Sequence, residues 1–255
     1  MIRLKTKTDI IKLRAGGRRL AQILHTIKKE VRPGVSTASL DQLAQSMIKD
    51  LGDKPAFLNY KPAGVKKPYP AALCVSVNDE IVHGIPGNRI LQAGDLVTLD
   101  LGLKHDGLIT DSAITVPVGE ISAEAKLLMT ATEESLKLAI KAVKPGATIG
   151  DIGSAVETYI KKQGLGLVRD LAGHGVGYAV HEEPLVPNYG HQGQGEVLRP
   201  GLVIAIEPMV TLGSEQTKIL ADGYTFVTKD SSLSAHFEHT VAVTDKGVEV
   251  LSLLA

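Results

Sequence analysis

Apolar residues recur at helical spacing near the start of the chain. Ile10, Leu13, Leu20, Leu24 and Ile27 fall by threes, fours and one seven, which predicts an amphipathic helix capped by Thr8 and stopped at Val31-Arg32-Pro33-Gly34. Leu40, Leu43, Met47 and Ile48 predict a second helix, capped by Ser36 or Thr37 and ended at Gly52. Strand patterns follow at Leu73–Val77 and Leu96–Leu103. Further helices are predicted over Ala125–Val143 and from Thr148 to Gln163. The last third reads as strands, most clearly Leu202–Ile206, Tyr224–Thr228 and Val241–Val243. Helices and strands are mixed without strict alternation, so the expected class is α+β.

The same pattern repeats within the chain. Val31-Arg-Pro-Gly-Val-Ser is echoed by Val143-Lys-Pro-Gly-Ala-Thr, and Leu40 by Ile152, at an offset of 112. Leu91-Gln-Ala-Gly-Asp-Leu-Val-Thr-Leu-Asp100 is echoed by Leu198-Arg-Pro-Gly-Leu-Val-Ile-Ala-Ile-Glu207 at an offset of 107. Val82-His83-Gly-Ile-Pro86 is similar to Val180-His181-Glu-Glu-Pro184. Each half reads helix, helix, His-x-x-Pro, then a strand ending in a carboxylate. Three matches in one order predict two related halves about a pseudo-twofold axis, roughly residues 8–120 and 121–250, in a single domain of residues 1–255. A site drawn from equivalent positions would lie in the cleft between them.

Charge adds one feature. Lys and Arg total 28 against 28 Asp and Glu, which disfavours a general nucleic-acid or membrane-surface binder. Residues 1–32 are the exception, with ten Lys or Arg against Asp9 and Glu30. That segment is a solvated helix face or a patch that meets an anionic partner such as ribosomal RNA. Cys74 is the single cysteine, so an intrachain disulfide framework is excluded and a reducing compartment fits. No apolar run approaches the ~18 residues of a membrane span, and Met1–Lys5 lacks a signal-peptide pattern. A cytoplasmic location is expected.

The chemistry-bearing residues cluster at strand ends. Asp100 and Asp111 flank a hairpin. A turn at His105-Asp106 would set them directly opposite, with Cβ atoms about 5 Å apart; a turn at Asp106-Gly107 would set them on a diagonal, about 7–8 Å apart. Either register puts both on one face, because side chains alternate. The pair suits a shared proton, a metal pair or two solvated surface acids. Glu207 ends an apolar strand and Glu238 leads into another, where a carboxylate is costly without a partner. Four carboxylates in two equivalent pairs favour metal. His174 lies in Ala172-Gly-His-Gly-Val-Gly177, where glycines let the backbone approach closely. One imidazole with four carboxylates suits Mn, Fe, Co or Zn. His83 and His181 occupy matching places in the repeat and are assigned to substrate or proton movement. His25 reads as structural, His105 and His191 as exposed, and His239 as pointing away from the Glu238 face.

Along nearly its whole length the chain resembles bacterial type I methionine aminopeptidases. The carrying motifs are Asn78-Asp-Glu-Ile-Val-His83-Gly-Ile-Pro86, Asp100 with Asp111, Ala172-Gly-His174-Gly-Val-Gly, His181-Glu-Glu-Pro184, Ile206-Glu207-Pro208-Met209 and Phe237-Glu238-His239-Thr240. The resemblance implies a pita-bread fold, two divalent metal ions (Co, Mn, Fe or Zn) and removal of the initiator methionine from nascent chains when the second residue is small. It implies Asp111 and Glu238 as bridging ligands, Asp100 completing one metal and His174 with Glu207 the other. It further implies Glu207 as general base, with His83 and His181 contacting substrate, and a monomer. Tyr69 and Cys74 match the family's methionine pocket. Val180 stands where Phe is frequent, Tyr224 where Trp is frequent and His236 where Gln is common; Lys61–Pro68 is longer than usual. Tyr224 is taken as part of the pocket, which is expected to be roomier near Val180.

Two other readings share part of this pattern. A prolidase or aminopeptidase P relative would use the same fold and ligands but normally carries a substantial N-terminal domain; about 80 residues precede His83 here. A pseudo-peptidase that keeps the fold for binding would be expected to have lost ligands, and all five are present.

Overall fold

The computed structural model describes residues 2–62 and 64–254; Ala63, within the long Lys61–Pro68 segment, lies outside the described residues. Four long helices are formed: α1 (Lys7–Glu30), α2 (Thr37–Asp50), α3 (Ala123–Ala142) and α4 (Ile149–Gln163). α1 begins two residues earlier than its apolar pattern suggested. Its cap is Thr6, not Thr8. The Thr6 hydroxyl accepts from Asp9 N at 3.1 Å and the Asp9 carboxylate accepts back from Thr6 N at 2.9 Å, a reciprocal box that satisfies two otherwise orphaned donors. Of the two candidates for α2, Ser36 is the cap. Ser122 starts α3 slightly ahead of the expected Ala125.

The sheets are antiparallel. In the first half the Leu96–His105 strand is central. It pairs with Leu73–Val77 on one side and Leu108–Pro117 on the other. In the second half five strands run in the order Gly247–Val250, His239–Thr244, Val203–Ile206, Ala172–Gly175, Glu182–Pro187. The strand expected from Tyr224 starts at Phe226 instead, because Asp222 captures the Tyr224 and Thr225 N–H groups in a turn.

The internal repeat is visible in the backbone bonds. Gly34 N donates to Leu91 O at 2.9 Å, and Gly146 N to Leu198 O at 3.0 Å. Leu91 N returns a bond to Val35 O at 2.9 Å, as Leu198 N does to Ala147 O at 2.8 Å. Bridges Ser36 to Ile90 and Thr148 to Val197 complete the match. Every one of these pairs obeys the two sequence offsets. The repeated Pro-Gly turns therefore dock the same way against the strand that leads to Asp100 or Glu207.

Each half packs its own apolar cluster. Leu20, Ile27, Leu40, Leu99 and Leu101 belong to one, and Leu128, Ile152, Ile160, Ile204 and Ile206 to the other. A third cluster crosses between the halves, with Leu13, Tyr69 and Cys74 from the first and Val176, Val203 and Ala242 from the second. Hydrogen bonds stitch the halves together at several places, one of them beside the carboxylates. Glu238 N donates to Ala113 O at 2.9 Å, Ser112 Oγ to Glu238 O at 2.6 Å, and Asp111 N to Thr240 Oγ1 at 2.8 Å. The seam runs through the segments that carry Asp111 and Glu238.

Candidate metal centre

The hairpin register is the diagonal one. His105 pairs with Leu108 and Gly102 with Asp111, so Asp100 faces Ala113. The turn residues Asp106 and Gly107 have φ of 47° and 85°, the conformation that a two-residue turn of matching twist requires. Asp100 and Asp111 share a face, as alternation predicts. That face is not solvated: the two residues are 7% and 3% exposed, so the surface-acid reading fails. The second pair is arranged differently. Ile206 pairs with His239, which sets Glu207 and Glu238 opposite each other at the end of that ladder.

His174 comes from the neighbouring strand, where it pairs with Ala205. The glycines beside it are dictated by crowding. A Cβ at Gly173 would lie 2.4 Å from Ala205 O, and one at Gly175 would lie 2.3 Å from Glu183 O. The His174 Nδ1–H donates to Gly175 O at 2.9 Å. That bond leaves Nε2 unprotonated, the form in which an imidazole binds a metal. Nε2 lies 3.5 Å from Glu207 Oε1. Donor atoms of Asp111, His174 and Glu238 all lie within 4.8 Å of one another.

The electrostatics match a site made for cations. Asp100 Oδ1 and Asp111 Oδ1 are buried without a hydrogen-bond partner among the described residues. Burial pushes the Asp100 carboxyl up to about 7, and burial together with the neighbouring carboxylates pushes Asp111 and Glu238 well above the ordinary range. Buried like charges carry such a penalty until a positive charge joins them. Glu207 goes the other way. Burial alone would raise it, but His236 beside it holds it below its ordinary value.

The five residues expected as ligands are brought together. His83 and His181 stand near them, on the wall of a cavity of about 340 Å³ that Tyr69, Cys74, Val180 and Tyr224 also line. Burial lowers both imidazoles to about 4. Their settings differ despite the sequence match. His83 follows the short Glu80–Val82 strand with φ of 59° and meets Phe226 edge-on. His181 precedes the Glu182–Pro187 strand, and its ring lies 4.5 Å from that of His174. Tyr69 donates to Gly84 O at 2.9 Å and stacks edge-on with Tyr224. Cys74 is paired in register with Asp100, and burial raises its thiol well above the usual range.

Two residues of this region were not singled out by role. His236 is 1% exposed, and its Nε2 lies 3.5 Å from Glu207 Oε2. Neither ring nitrogen has a hydrogen-bond partner among the described residues. The signal was available in His236-Phe-Glu238, since residues two apart in an extended segment share a face. The other is Tyr60, whose hydroxyl lies 2.7 Å from His181 Nδ1; nothing in its local sequence marks it. Of the remaining histidines, His25 and His191 are exposed. His239 bonds Ser252 at 2.9 Å and lines a separate cavity behind the sheet. His105 departs from expectation: it is half-buried and lies 2.7 Å from Asp53.

A carboxylate-rich, single-imidazole centre at the bottom of an apolar pocket defines the class as a metallohydrolase site. The model of metallopeptidase family M24 matches residues 11–245. The methionine aminopeptidase 1 of Bacillus subtilis is 44% identical over 99% of both chains, and the methionine aminopeptidase of Aquifex aeolicus 46% identical over the same share. The crystal structure of the Thermotoga maritima methionine aminopeptidase, 41% identical, superposes with a TM-score of 0.95 over 99% of this chain and all of that one. The chain belongs to metallopeptidase family M24, among the methionine aminopeptidases. The Pyrococcus furiosus prolidase shares the fold, with a TM-score of 0.78 at 22% identity, and this chain covers 66% of it.

Proposed function

We propose that this chain removes the N-terminal methionine from nascent polypeptides when the second residue is small, by hydrolysis at a dinuclear metal site. The observation that carries this is the convergence of four carboxylates and His174, two of whose buried oxygens lack any partner, at the floor of an apolar pocket. Asp100, Asp111, His174, Glu207 and Glu238 would hold two divalent ions drawn from Co, Mn, Fe or Zn, with Asp111 and Glu238 shared. Bound there, such ions lower the pKa of a water and polarise the scissile carbonyl.

The protein residues supply the rest. The depressed carboxyl of Glu207 is ionised near neutrality and suits the role of proton acceptor from the attacking water. Neutral His83 and His181 suit hydrogen bonding to the substrate carbonyl and amide, and stabilise the charge that develops there. Tyr69, Cys74, Val180 and Tyr224 would receive the methionine side chain. Val180 leaves more room than a Phe would.

Residues 1–255 are read as one catalytic domain acting as a monomer. No described helix is long and apolar enough to cross a membrane, and a nascent-chain substrate with a lone buried Cys74 supports a cytoplasmic location. Ribosome association through the basic N-terminal segment is retained in reduced form. Lys5, Arg14 and Arg19 are committed to Glu182, Glu249 and Asp53, leaving Arg3, Lys7, Arg18, Lys28, Lys29 and Arg32 exposed. The test of function is hydrolysis of Met-Gly and Met-Ala peptides by metal-free protein reconstituted with Mn, Fe, Co and Zn in turn. Release of free methionine by wild type and not by Asp111→Asn is expected; no release with any metal sinks the reading.

A further inference from the structure

The segment before the long Lys61–Pro68 excursion reaches the histidines of the catalytic region through Tyr60. Tyr60 is held at the neck of that excursion. Tyr69 N donates to Tyr60 O at 2.8 Å, Asn59 N to Tyr69 O at 2.9 Å, and Tyr60 N to Phe57 O at 2.8 Å. Tyr224 Oη donates to Lys67 O at 2.6 Å and lies 3.3 Å from Tyr60 O, which ties the far end of the excursion to the pocket wall. From this fixed backbone the Tyr60 ring meets the His181 ring edge-on, with centroids 5.3 Å apart. Its hydroxyl lies 2.7 Å from His181 Nδ1. Tyr60 and His181 both line the catalytic cavity.

We propose that Tyr60 is a positioning residue: its hydroxyl donates to His181 Nδ1, so that His181 presents a protonated Nε2, a hydrogen-bond donor, to the substrate. This deepens, and rests on, the reading of His181 as a substrate-facing group. The direction of the bond follows from the chemistry of the partners. A neutral imidazole has one N–H and one lone pair, and the bond made by one nitrogen fixes the proton on the other. An imine nitrogen is a better acceptor than a phenol oxygen, and a phenol a better donor than a pyrrole-type N–H. Burial raises the Tyr60 phenol above its ordinary value, so it keeps its proton at neutral pH. The alternative direction would leave a bare lone pair on Nε2, which repels a carbonyl oxygen and its developing negative charge. The bond also fixes the ring's rotation. His174 is handled in the opposite sense: its Nδ1 is the donor, to Gly175 O. Two histidines whose rings touch are thus set in opposite tautomers by their Nδ1 partners, one as a lone-pair donor and one as a proton donor.

The experiment is histidine-selective ¹⁵N NMR of the full chain, metal-free and metal-loaded, with Tyr60→Phe as the variant and His181→Asn to assign the signal. Wild type is expected to show an unprotonated Nδ1 and a protonated Nε2 on His181 in both forms. Tyr60→Phe, which keeps the ring against the pocket, is expected to shift that pattern toward a mixture. Its kcat on a Met-Gly peptide is expected to fall about tenfold with KM changed less than about twofold. A protonated Nδ1 in wild type overturns the proposal, as does an unchanged tautomer and kcat in Tyr60→Phe. The metal-free spectrum is independent of turnover, so it stands even if the chain cleaves no methionyl peptide.

Discussion

The first half presents Asp100 and Asp111 on one hairpin, set diagonally across a Gly102–Asp111 pair. The second half presents Glu207 and Glu238 from two strands, set opposite each other beyond the Ile206–His239 pair. The Pro-Gly turns and their bonds to the segment leading into each strand match one for one. The surroundings do not. Burial drives Asp100 up to about 7, and nearby His236 offsets that only in part, whereas Glu207, with His236 3.5 Å away, is held down. A duplicated scaffold supplies two matched pairs of carboxylates; the histidines added to one half give equivalent carboxylates opposite electrostatic settings.

Several substitutions would break or sharpen that comparison. Asp111→Asn and Glu238→Gln act at the seam between halves and are expected to be equally damaging. Each should lower kcat/KM by more than about a thousandfold and abolish stoichiometric binding of the second metal; calorimetric metal titration checks this. Glu207→Gln should cost kcat at saturating metal about tenfold more than Asp100→Asn if, as proposed, only Glu207 combines ligation with proton transfer. Equal losses at saturating metal would remove the asymmetry.

The next effect is in pH. Raised carboxyls in the metal-free protein bind protons that the unfolded chain has released. Stability from these groups is therefore fully present below about pH 4 and lost progressively as pH climbs through about 7. Metal competes with the same protons. The rise in Tm on adding Mn should accordingly be larger at about pH 8 than at about pH 5.5. A pH-independent increment would contradict the charge pattern.

A smaller effect concerns the arm before α1, which serves only the second half. Lys5 Nζ lies 2.7 Å from Glu182 Oε2, with both side chains almost fully buried. Glu182 also accepts from Tyr178 N and Ala179 N, which shapes the turn that carries Val180 and His181. Lys5→Met leaves a buried carboxylate with only those amides and should cost about 3 kcal/mol in chemical denaturation. Smallest of all, Val180→Phe should leave kcat for Met peptides within about threefold while reducing any cleavage after bulkier first residues. Unchanged selectivity would show that Val180 does not set the pocket's width.

The sequence carried different parts of this unequally. The repeat, the strand ends and the five candidate ligand positions are legible because periodicity and charge cost act locally. A carboxylate at the end of Leu202–Ile206 is an anomaly on inspection. The hairpin register was left open between two turns, and Asp106-Gly107 decided it through backbone twist. The first helix starts two residues before its apolar pattern because Thr6 and Asp9 together outcompete Thr8 alone. Tyr60 and the Lys5–Glu182 pair were invisible, since each joins positions more than a hundred residues apart with no pattern in either neighbourhood. His105 looked exposed for the same reason: its partner Asp53 belongs to another turn.

The central claim is a dinuclear centre held by both halves at once. The direct measurement is an anomalous-scattering map of crystals soaked in Mn. The account predicts two peaks about 3.5–4 Å apart, both contacted by Asp111 and Glu238, with Asp100 on one and His174 and Glu207 on the other. A single peak at full occupancy, or ions bound away from the seam between Asp111 and Glu238, would contradict it.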